Sequence, residues 1–254
     1  MKWMRFSHGG VAGFGVVEGD RVRRHEGDLF DRPTPTDTLI ALAEVAWLPP
    51  CRPGKIVGLW NNFRAAADKN GWGTPAEPLY FLKSPDSATG HRRPIAVPSS
   101  YEGRVVYEGE LAVVIGRQAR DVAIEDAASF IFGYTCANDV TALELLHRDP
   151  SFPQWTRAKS FDGFAAFGPV IETDFDPATA SLRTLVGGRE RQNYALADMF
   201  FGPAELVSRL SRDMTFEAGD VIFCGTSLGV LPMKAGTTVD VVIDGIGTLS
   251  NVYG

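Results

Sequence analysis

Cysteine, surplus positive charge and long apolar runs are all scarce in this chain, and each scarcity excludes a class of protein. Three cysteines, Cys51, Cys136 and Cys224, lie far apart among 254 residues and form neither a CxxC pair nor a zinc-type spacing. A sparse, odd number is typical of a reducing compartment, and the apolar runs before Cys136 and Cys224 predict buried structural thiols. No stretch approaches the roughly 20 apolar residues of a membrane-spanning helix.

The charge balance and the N-terminal sequence limit which partners and which cellular location we expect. Lysine and arginine number 25 against 31 acidic residues, a net charge of -6, so no basic surplus exists to neutralise phosphates. The first five residues lack the apolar segment of a signal peptide. We therefore expect a cytoplasmic protein with neither a nucleic-acid nor a membrane partner.

Strand patterns outnumber helix patterns along the chain, and irregular loops join them. Residues 48–54 contain three prolines and a glycine, which predicts a linker between a small N-terminal domain (1–50) and a catalytic domain (51–254). No GxGxxG follows a strand, and regular βαβ alternation is missing. The sequence therefore predicts a β-rich α+β fold without a dinucleotide site. The main predicted helices are residues 38–47, 62–70 and 204–210.

Residues 105–116 give the strongest strand pattern and contain two glutamates. Side chains alternate between the faces of a strand, so Glu108 and Glu110 are expected to share one face. Apolar residues on both faces predict a strand that is buried on both sides. Two buried carboxylates repel each other, and a hard divalent cation with oxygen ligands compensates them. Alternatively, both glutamates lie at an exposed strand end and pair with arginines.

Three further segments contain candidate site residues. Asp139 follows an apolar strand and would supply a third carboxylate for Mg²⁺ or Mn²⁺, although Asn-Asp is also an ordinary turn. Lys159 near a metal could bind a carboxylate or stabilise an enolate, and it could equally be a surface lysine. After a strand at 221–224, Gly225 and Thr226 offer backbone N–H groups and a hydroxyl for a carboxylate, or form a plain glycine turn.

Taken together, these segments resemble the fumarylacetoacetate hydrolase superfamily from about Lys55 to the C-terminus. The similar segments, in matching order and spacing, are residues 107–116, 133–140, 159–162 and 219–226. The resemblance implies a mixed β-roll catalytic domain that usually forms a homodimer. It also implies a small-molecule oxo-acid substrate, because members act on 2-oxo or 1,3-dicarbonyl acids by C–C hydrolysis, decarboxylation, isomerisation or hydration.

The resemblance assigns roles to individual residues. It implies Mg²⁺ or Mn²⁺ on Glu108, Glu110 and Asp139, where the cation chelates an oxo-acid oxygen pair and stabilises an enolate. Lys159 and Thr226 are the expected catalytic residues facing the substrate. The predicted substrate-binding residues are Arg64, Asn62, Lys83 and Gly225.

The chain departs from the family pattern at the lid helix. Hydrolytic and decarboxylating members often have a His-x-x-Glu pair there, whereas this chain has Arg64 and Ala67 in one register and Ala66 and Lys69 in the other. Arginine is always charged and cannot act as a general base. We therefore expect no hydrolysis by the usual lid pair.

Other departures concern substrate-binding groups. Residues 142–146 lack the arginine and glutamine that often follow the third metal ligand, and Ser227 replaces a proline. Arg64 could compensate by binding a distal carboxylate. Asp68 or His147 could replace the missing lid pair.

Three functional hypotheses follow. The first is metal-dependent cleavage of a C–C bond in a small oxo acid. The second is a 2-hydroxydienoate isomerase or tautomerase, which needs proton transfer but no activated water and so tolerates the missing lid pair. The third is a non-catalytic member that binds a metabolite through its metal.

Overall fold

The computed structural model describes residues 1–254 and consists mainly of β-strands, with three short α-helices. The strands up to residue 115 are β1 (Lys2–His8), β2 (Val11–Glu18), β3 (Arg21–Asp28), β4 (Asp31–Ala41), β5 (Ala46–Leu48), β6 (Ile56–Trp60), β7 (Leu79–Lys83), β8 (Ala88–Thr89), β9 (Val105–Val106) and β10 (Gly109–Ile115). The later strands are β11 (Ile131–Asp139), β12 (Thr141–Ala142), β13 (Ala165–Glu172), β14 (Ser181–Val186), β15 (Arg189–Ala195), β16 (Val221–Phe223), β17 (Thr237–Ile243) and β18 (Gly247–Tyr253). The helices are α1 (Arg64–Asn70), α2 (Trp155–Lys159) and α3 (Pro203–Asp213).

One large mixed sheet organises the molecule. It has 12 strands, and its main path runs β4-β3-β2-β1-β13-β11-β10-β16-β6-β7. Most pairs are antiparallel, but β16 pairs with β6 and β13 with β8 in parallel. A second sheet, β15-β14-β17-β18, packs against β10, β11 and β13. This arrangement confirms the predicted α+β class.

Strand β10 lies in the middle of the core and is buried on both faces. Leu111, Val113 and Ile115 belong to the larger apolar cluster, whereas Ala112 and Val114 belong to a smaller one on the opposite face. The two-sided burial predicted from the apolar alternation is therefore confirmed. Removing these side chains from water supplies the main stabilisation of the strand that contains Glu110.

The helix predicted at residues 38–47 is wrong. Strand β4 continues to Ala41, a single 3₁₀ turn follows at Leu42–Glu44, and β5 begins at Ala46. The structure is extended here because β4 pairs with β3 and β5 with β1, and these ladders override local helix preference. The predicted helices at 62–70 and 204–210 are confirmed as α1 and α3.

The three cysteines are buried and free, as predicted. Burial raises the pKa of Cys51 and of Cys136 to about 12, which keeps these thiols protonated and unreactive. None of the helices has the length and apolar character needed to cross a membrane.

Candidate functional site

The pairing of β10 with β11 brings the three predicted carboxylates together. Glu110 is in β10, Asp139 ends β11, and the antiparallel register places Gly109 opposite Asn138. A further backbone hydrogen bond, from the Asp139 N–H to the Glu108 carbonyl at 2.9 Å, joins the end of β11 to the residue just before β10. Ligand oxygens of the three carboxylates lie within 4.8 Å of one another.

The strand predicted over residues 105–116 is interrupted just before the cluster. Strand β9 ends at Val106 and β10 starts at Gly109, so Glu108 lies outside the regular ladder. The freed backbone groups are satisfied by side chains: the Glu108 N–H donates to Asn138 Oδ1 and the Gly109 N–H donates to Gln192 Oε1, both at 3.0 Å. This break turns Glu108 toward the other two carboxylates without leaving its backbone unpaired.

Two buried lysines face the carboxylates. Lys159 Nζ lies 2.8 Å from Glu108 Oε2 and 2.6 Å from Asp139 Oδ2, and its side chain is only 3% exposed. Lys83 forms an ion pair with Asp139 from the opposite side and is fully buried. No lysine or arginine pairs with Glu110, whose Oε2 accepts a 2.7 Å bond from the Gly225 N–H.

The pKa values of the three carboxyl groups do not all shift in the same direction. Burial raises the pKa of Glu110 well above its ordinary value, and the charges of Asp139 and Glu108 add to the rise. Burial also raises the pKa of Glu108. At Asp139 burial acts in the same direction, but Lys159 and Lys83 outweigh it and hold the pKa below its ordinary value.

The cluster fits a hard divalent cation. All its ligand atoms are carboxylate oxygens, and Glu110 Oε1 is buried without a hydrogen-bond partner. A buried, unpartnered carboxylate oxygen is costly, and a cation coordinated to it removes that cost. When all five groups are ionised, three carboxylates against two ammonium groups leave one net negative charge, which also favours a cation.

A cavity of about 690 Å³ is lined by one carboxylate of the cluster, Glu108, and by Lys159. Its polar lining residues are Asn61, Lys69, Asn70, Glu108, His147, Lys159, Thr226 and Ser227. Aromatic rings form one wall: Trp60 lies 4.9 Å from Trp72 and 6.3 Å from Trp155 between centroids, and Trp155 stacks on Phe81 at 5.1 Å. The cavity therefore has a charged floor at Glu108 and Lys159 and an aromatic side.

The predicted catalytic residues Lys159 and Thr226 both line this cavity. The Thr226 hydroxyl donates to the Gly109 carbonyl and accepts from Gln192 Nε2, both at 2.9 Å. These two bonds hold the loop that contains Thr226 over the carboxylates. Because the hydroxyl hydrogen is already donated to Gly109, the hydroxyl has no further proton for a substrate.

The predicted substrate-binding residues are distributed differently from expectation. Arg64 lies outside the cavity lining, because its guanidinium donates to the Met199 carbonyl and stacks 5.0 Å from the centre of the Phe200 ring. Its role as a carboxylate clamp therefore stays a prediction, which this placement does not support. Asp68, offered as a substitute base, is likewise absent from the lining.

The other three predicted substrate-binding residues support the site from beneath. Asn62 uses its side chain on backbone groups of Phe201 and Cys224, so it fastens α1 to two neighbouring loops. Lys83 pairs with Asp139, and Gly225 donates to Glu110. None of the three is among the residues that line the cavity, and their assignment as substrate-binding residues stays a prediction.

Several site residues were missed by sequence reasoning. Gln192 on β15 supports the break at Gly109, yet nothing in its surroundings marks it as special. Lys69 lines the cavity one helical turn after Ala66, and Asn70 lies next to it. The three- and four-residue spacing on α1 is the signal that could have identified this face.

Comparisons with known proteins agree with the fold. The family model described as "Fumarylacetoacetate (FAA) hydrolase C-terminal" matches residues 55–252, and one described as "Rv2993c-like, N-terminal" matches residues 1–50. The chain belongs to the fumarylacetoacetate hydrolase family.

Named relatives perform several reactions. The chain is 36% identical to oxaloacetate tautomerase YisK of Bacillus subtilis, over 94% of this chain and 85% of the relative. The crystal structure of 5-carboxymethyl-2-hydroxymuconate delta-isomerase from Mycobacterium smegmatis matches with a TM-score of 0.92 at 36% identity, covering 100% of this chain and 99% of that one.

A more distant structure contains a metal. Maleylpyruvate hydrolase from Sphingobium sp. SYK-6, solved with manganese (II) ion and pyruvate, matches with a TM-score of 0.79 at 26% identity and covers 100% of each chain. Structures named as an isomerase and as a hydrolase thus share this fold, and a relative named as a tautomerase is similar in sequence.

Proposed function

We propose that this protein is a divalent-metal-dependent isomerase that moves a proton between the keto and enol forms of a small 2-oxo acid. The observation that supports this most is the composition of the cavity lining. It joins Glu108 and Lys159 beside the carboxylate cluster, while α1 contributes Ala66, Lys69 and Asn70 but neither a carboxylate nor an imidazole. Isomerisation requires proton transfer alone, so it needs no group to activate water.

Glu108, Glu110 and Asp139 would hold the Mg²⁺ or Mn²⁺. When bound, the cation would supply a Lewis acid that draws developing negative charge toward the substrate oxygens. The unpartnered Glu110 Oε1 and the all-oxygen ligand set support this assignment.

Lys159 would bind the anionic end of the substrate. Burial acts to lower its pKa, but Asp139 and Glu108 reverse the effect and raise it above the ordinary value. The ammonium group therefore stays charged, and two carboxylates fix its position at the cavity floor. A fixed cation is suited to an oxygen that gains negative charge during the reaction.

His147 is the group in the lining best suited to move the proton. It is the imidazole among the lining residues, and Leu143 and Leu146, just before it in the chain, line the cavity as well. An imidazole can both accept and return a proton, as a keto–enol exchange requires.

C–C bond cleavage is the second candidate, and His147 also favours it. The same imidazole could deprotonate a water beside Glu108 and Lys159, which would replace the missing lid pair. The relative named 4-hydroxyphenylacetate degradation bifunctional isomerase/decarboxylase, from Salmonella dublin, combines both types of reaction in its name.

A ¹H NMR time course tests these alternatives. The Mg²⁺-loaded protein is incubated with enol oxaloacetate, a 2-hydroxydienoate and an acylpyruvate, with the Glu108→Ala variant as control. Isomerisation predicts metal-dependent loss of one tautomer with an unchanged carbon skeleton, and no turnover by the variant. New fragments from a broken skeleton would favour cleavage, and silence with every substrate would contradict both reactions and favour a non-catalytic metabolite-binding protein.

A further inference from the structure

Lys69 is a cation in the cavity lining without an ion-pair partner. It shares one face of α1 with Ala66 and Asn70, and all three line the cavity. The other lysine of the lining, Lys159, already pairs with Glu108 and Asp139. Lys69 forms none of the ion pairs in the chain, so its ammonium group is free for a ligand.

The charges around the cavity are suited to a ligand with two negative charges. With every group ionised, the three carboxylates and the two lysines of the cluster leave one negative charge, and a bound divalent cation would convert this to one positive charge. Lys69 adds a second positive charge to the lining. A dicarboxylate would neutralise both.

The volume and the aromatic lining of the cavity suit a longer ligand. A volume of about 690 Å³ falls in the range of pockets for drug-sized molecules and leaves room beyond a 2-oxo acid group. Trp60, Trp72 and Trp155 form an aromatic wall against which an apolar or unsaturated chain could pack.

We propose that Lys69 binds the distal carboxylate of the substrate and selects 2-oxo dicarboxylates over 2-oxo monocarboxylates. The 2-oxo acid end would lie at the carboxylate cluster and the carbon chain along the tryptophans. This inference rests on the proposed function, since it concerns the substrate of the same cavity. It also gives a role to Lys69, which in one register stands where hydrolytic and decarboxylating members often have the glutamate of the lid pair.

Matched ligand pairs test the proposal by binding, without turnover. Isothermal titration of the Mg²⁺-loaded protein compares 2-oxoglutarate with 2-oxopentanoate, and 2-oxoadipate with 2-oxohexanoate, which differ in the distal carboxylate. We expect the native protein to bind the dicarboxylate of at least one pair roughly three- to tenfold more tightly. The preference should weaken as salt is added, because the Lys69 ammonium group is exposed.

Variants of one residue separate the distal contact from the rest of the site. Lys69→Met should remove the preference and leave monocarboxylate binding unchanged, Lys69→Arg should keep it, and Lys69→Glu should reverse it. Lys234→Met, at an exposed lysine that does not line the cavity, is the matched control. Equal preference in the native protein and Lys69→Met, or no binding of any of the four ligands, would overturn the proposal.

The two proposals fail in different ways. If the catalytic proposal is wrong, the NMR course shows no isomerisation, while the binding preference and its dependence on Lys69 can still be measured. If the Lys69 proposal is wrong, the preference is absent from the titrations although isomerisation continues.

Discussion

Glu110 is the carboxylate of the cluster with the least compensation from the protein itself. Lys159 pairs with Glu108 and Asp139, and Lys83 pairs with Asp139, but none of these three ion pairs includes Glu110. One oxygen accepts the Gly225 N–H and the other has no partner. In the metal-free protein this buried charge therefore opposes folding.

Glu110→Gln should stabilise the metal-free protein near neutral pH by about 1–3 kcal/mol. The pKa of Glu110 is raised above 4.5 in the folded chain, so the native protein loses stability as pH rises from that value through the folded pKa. Glutamine does not titrate, so the stability difference between Glu110→Gln and the native protein should grow as pH rises over this interval and vanish below it. Urea unfolding in EDTA across pH measures it.

Glu205→Gln is the control for this measurement. Glu205 forms an exposed pair with Arg209 on α3, away from the cluster, so its substitution should change stability little at any pH. A metal-free Glu110→Gln protein that is less stable than the native protein at pH 7 would contradict the electrostatic account.

The start of β10 is the element on which the site geometry depends. Gly109 lies between the two glutamates, and its N–H is held by Gln192. A Cβ at this position would lie 2.1 Å from Thr184 Oγ1 and 3.1 Å from Gln192 Oε1. The second sheet therefore approaches the backbone of β10 too closely for any side chain at residue 109.

Gly109→Ala should destabilise the protein by about 1–3 kcal/mol and weaken metal binding, because the backbone must shift where both glutamates are attached. Thermal unfolding and metal titration measure the two effects. Gly73→Ala is the matched control, since its Cβ would meet no atom within 4 Å. Native metal affinity in Gly109→Ala would show that the close approach does not position the carboxylates.

The sequence predicts the cluster better than its surroundings for a physical reason. The two glutamates near the start of one strand and the position of Asp139 at the end of another are local patterns visible in the sequence. The break before β10, which turns Glu108 toward the other two carboxylates, is not visible there. Gln192 reaches Gly109 from 83 residues away, and no local pattern records that contact. The sequence pattern of α1 also does not tell which face of the helix lines the cavity, and Arg64 lies outside that lining.

At the scale of the whole molecule, the N-terminal strands and the remainder form one sheet. Strand β1 pairs with β13, and Phe6 and Val22 belong to the same apolar cluster as Leu111. The division into residues 1–50 and 51–254 stays a prediction, as does the homodimer. The shared core leads us to expect that both parts unfold together.

Phe6→Ala tests this expectation. Phe6 is 2% exposed within the shared cluster, so its truncation should lower stability by about 3–5 kcal/mol. Urea unfolding followed by far-UV circular dichroism and by tryptophan fluorescence should show one coincident transition at a lower midpoint. Two separate transitions, with only the first affected, would indicate independent domains.

The central claim is that Glu108, Glu110 and Asp139 together hold one divalent cation. Titration of EDTA-treated protein with Mn²⁺, followed by electron paramagnetic resonance of the free ion, tests it most directly. We predict one Mn²⁺ bound per chain in the native protein, displaced by Mg²⁺, and at least tenfold weaker binding in Glu110→Gln. The same affinity in Glu110→Gln, or no bound Mn²⁺ in the native protein, would contradict the account.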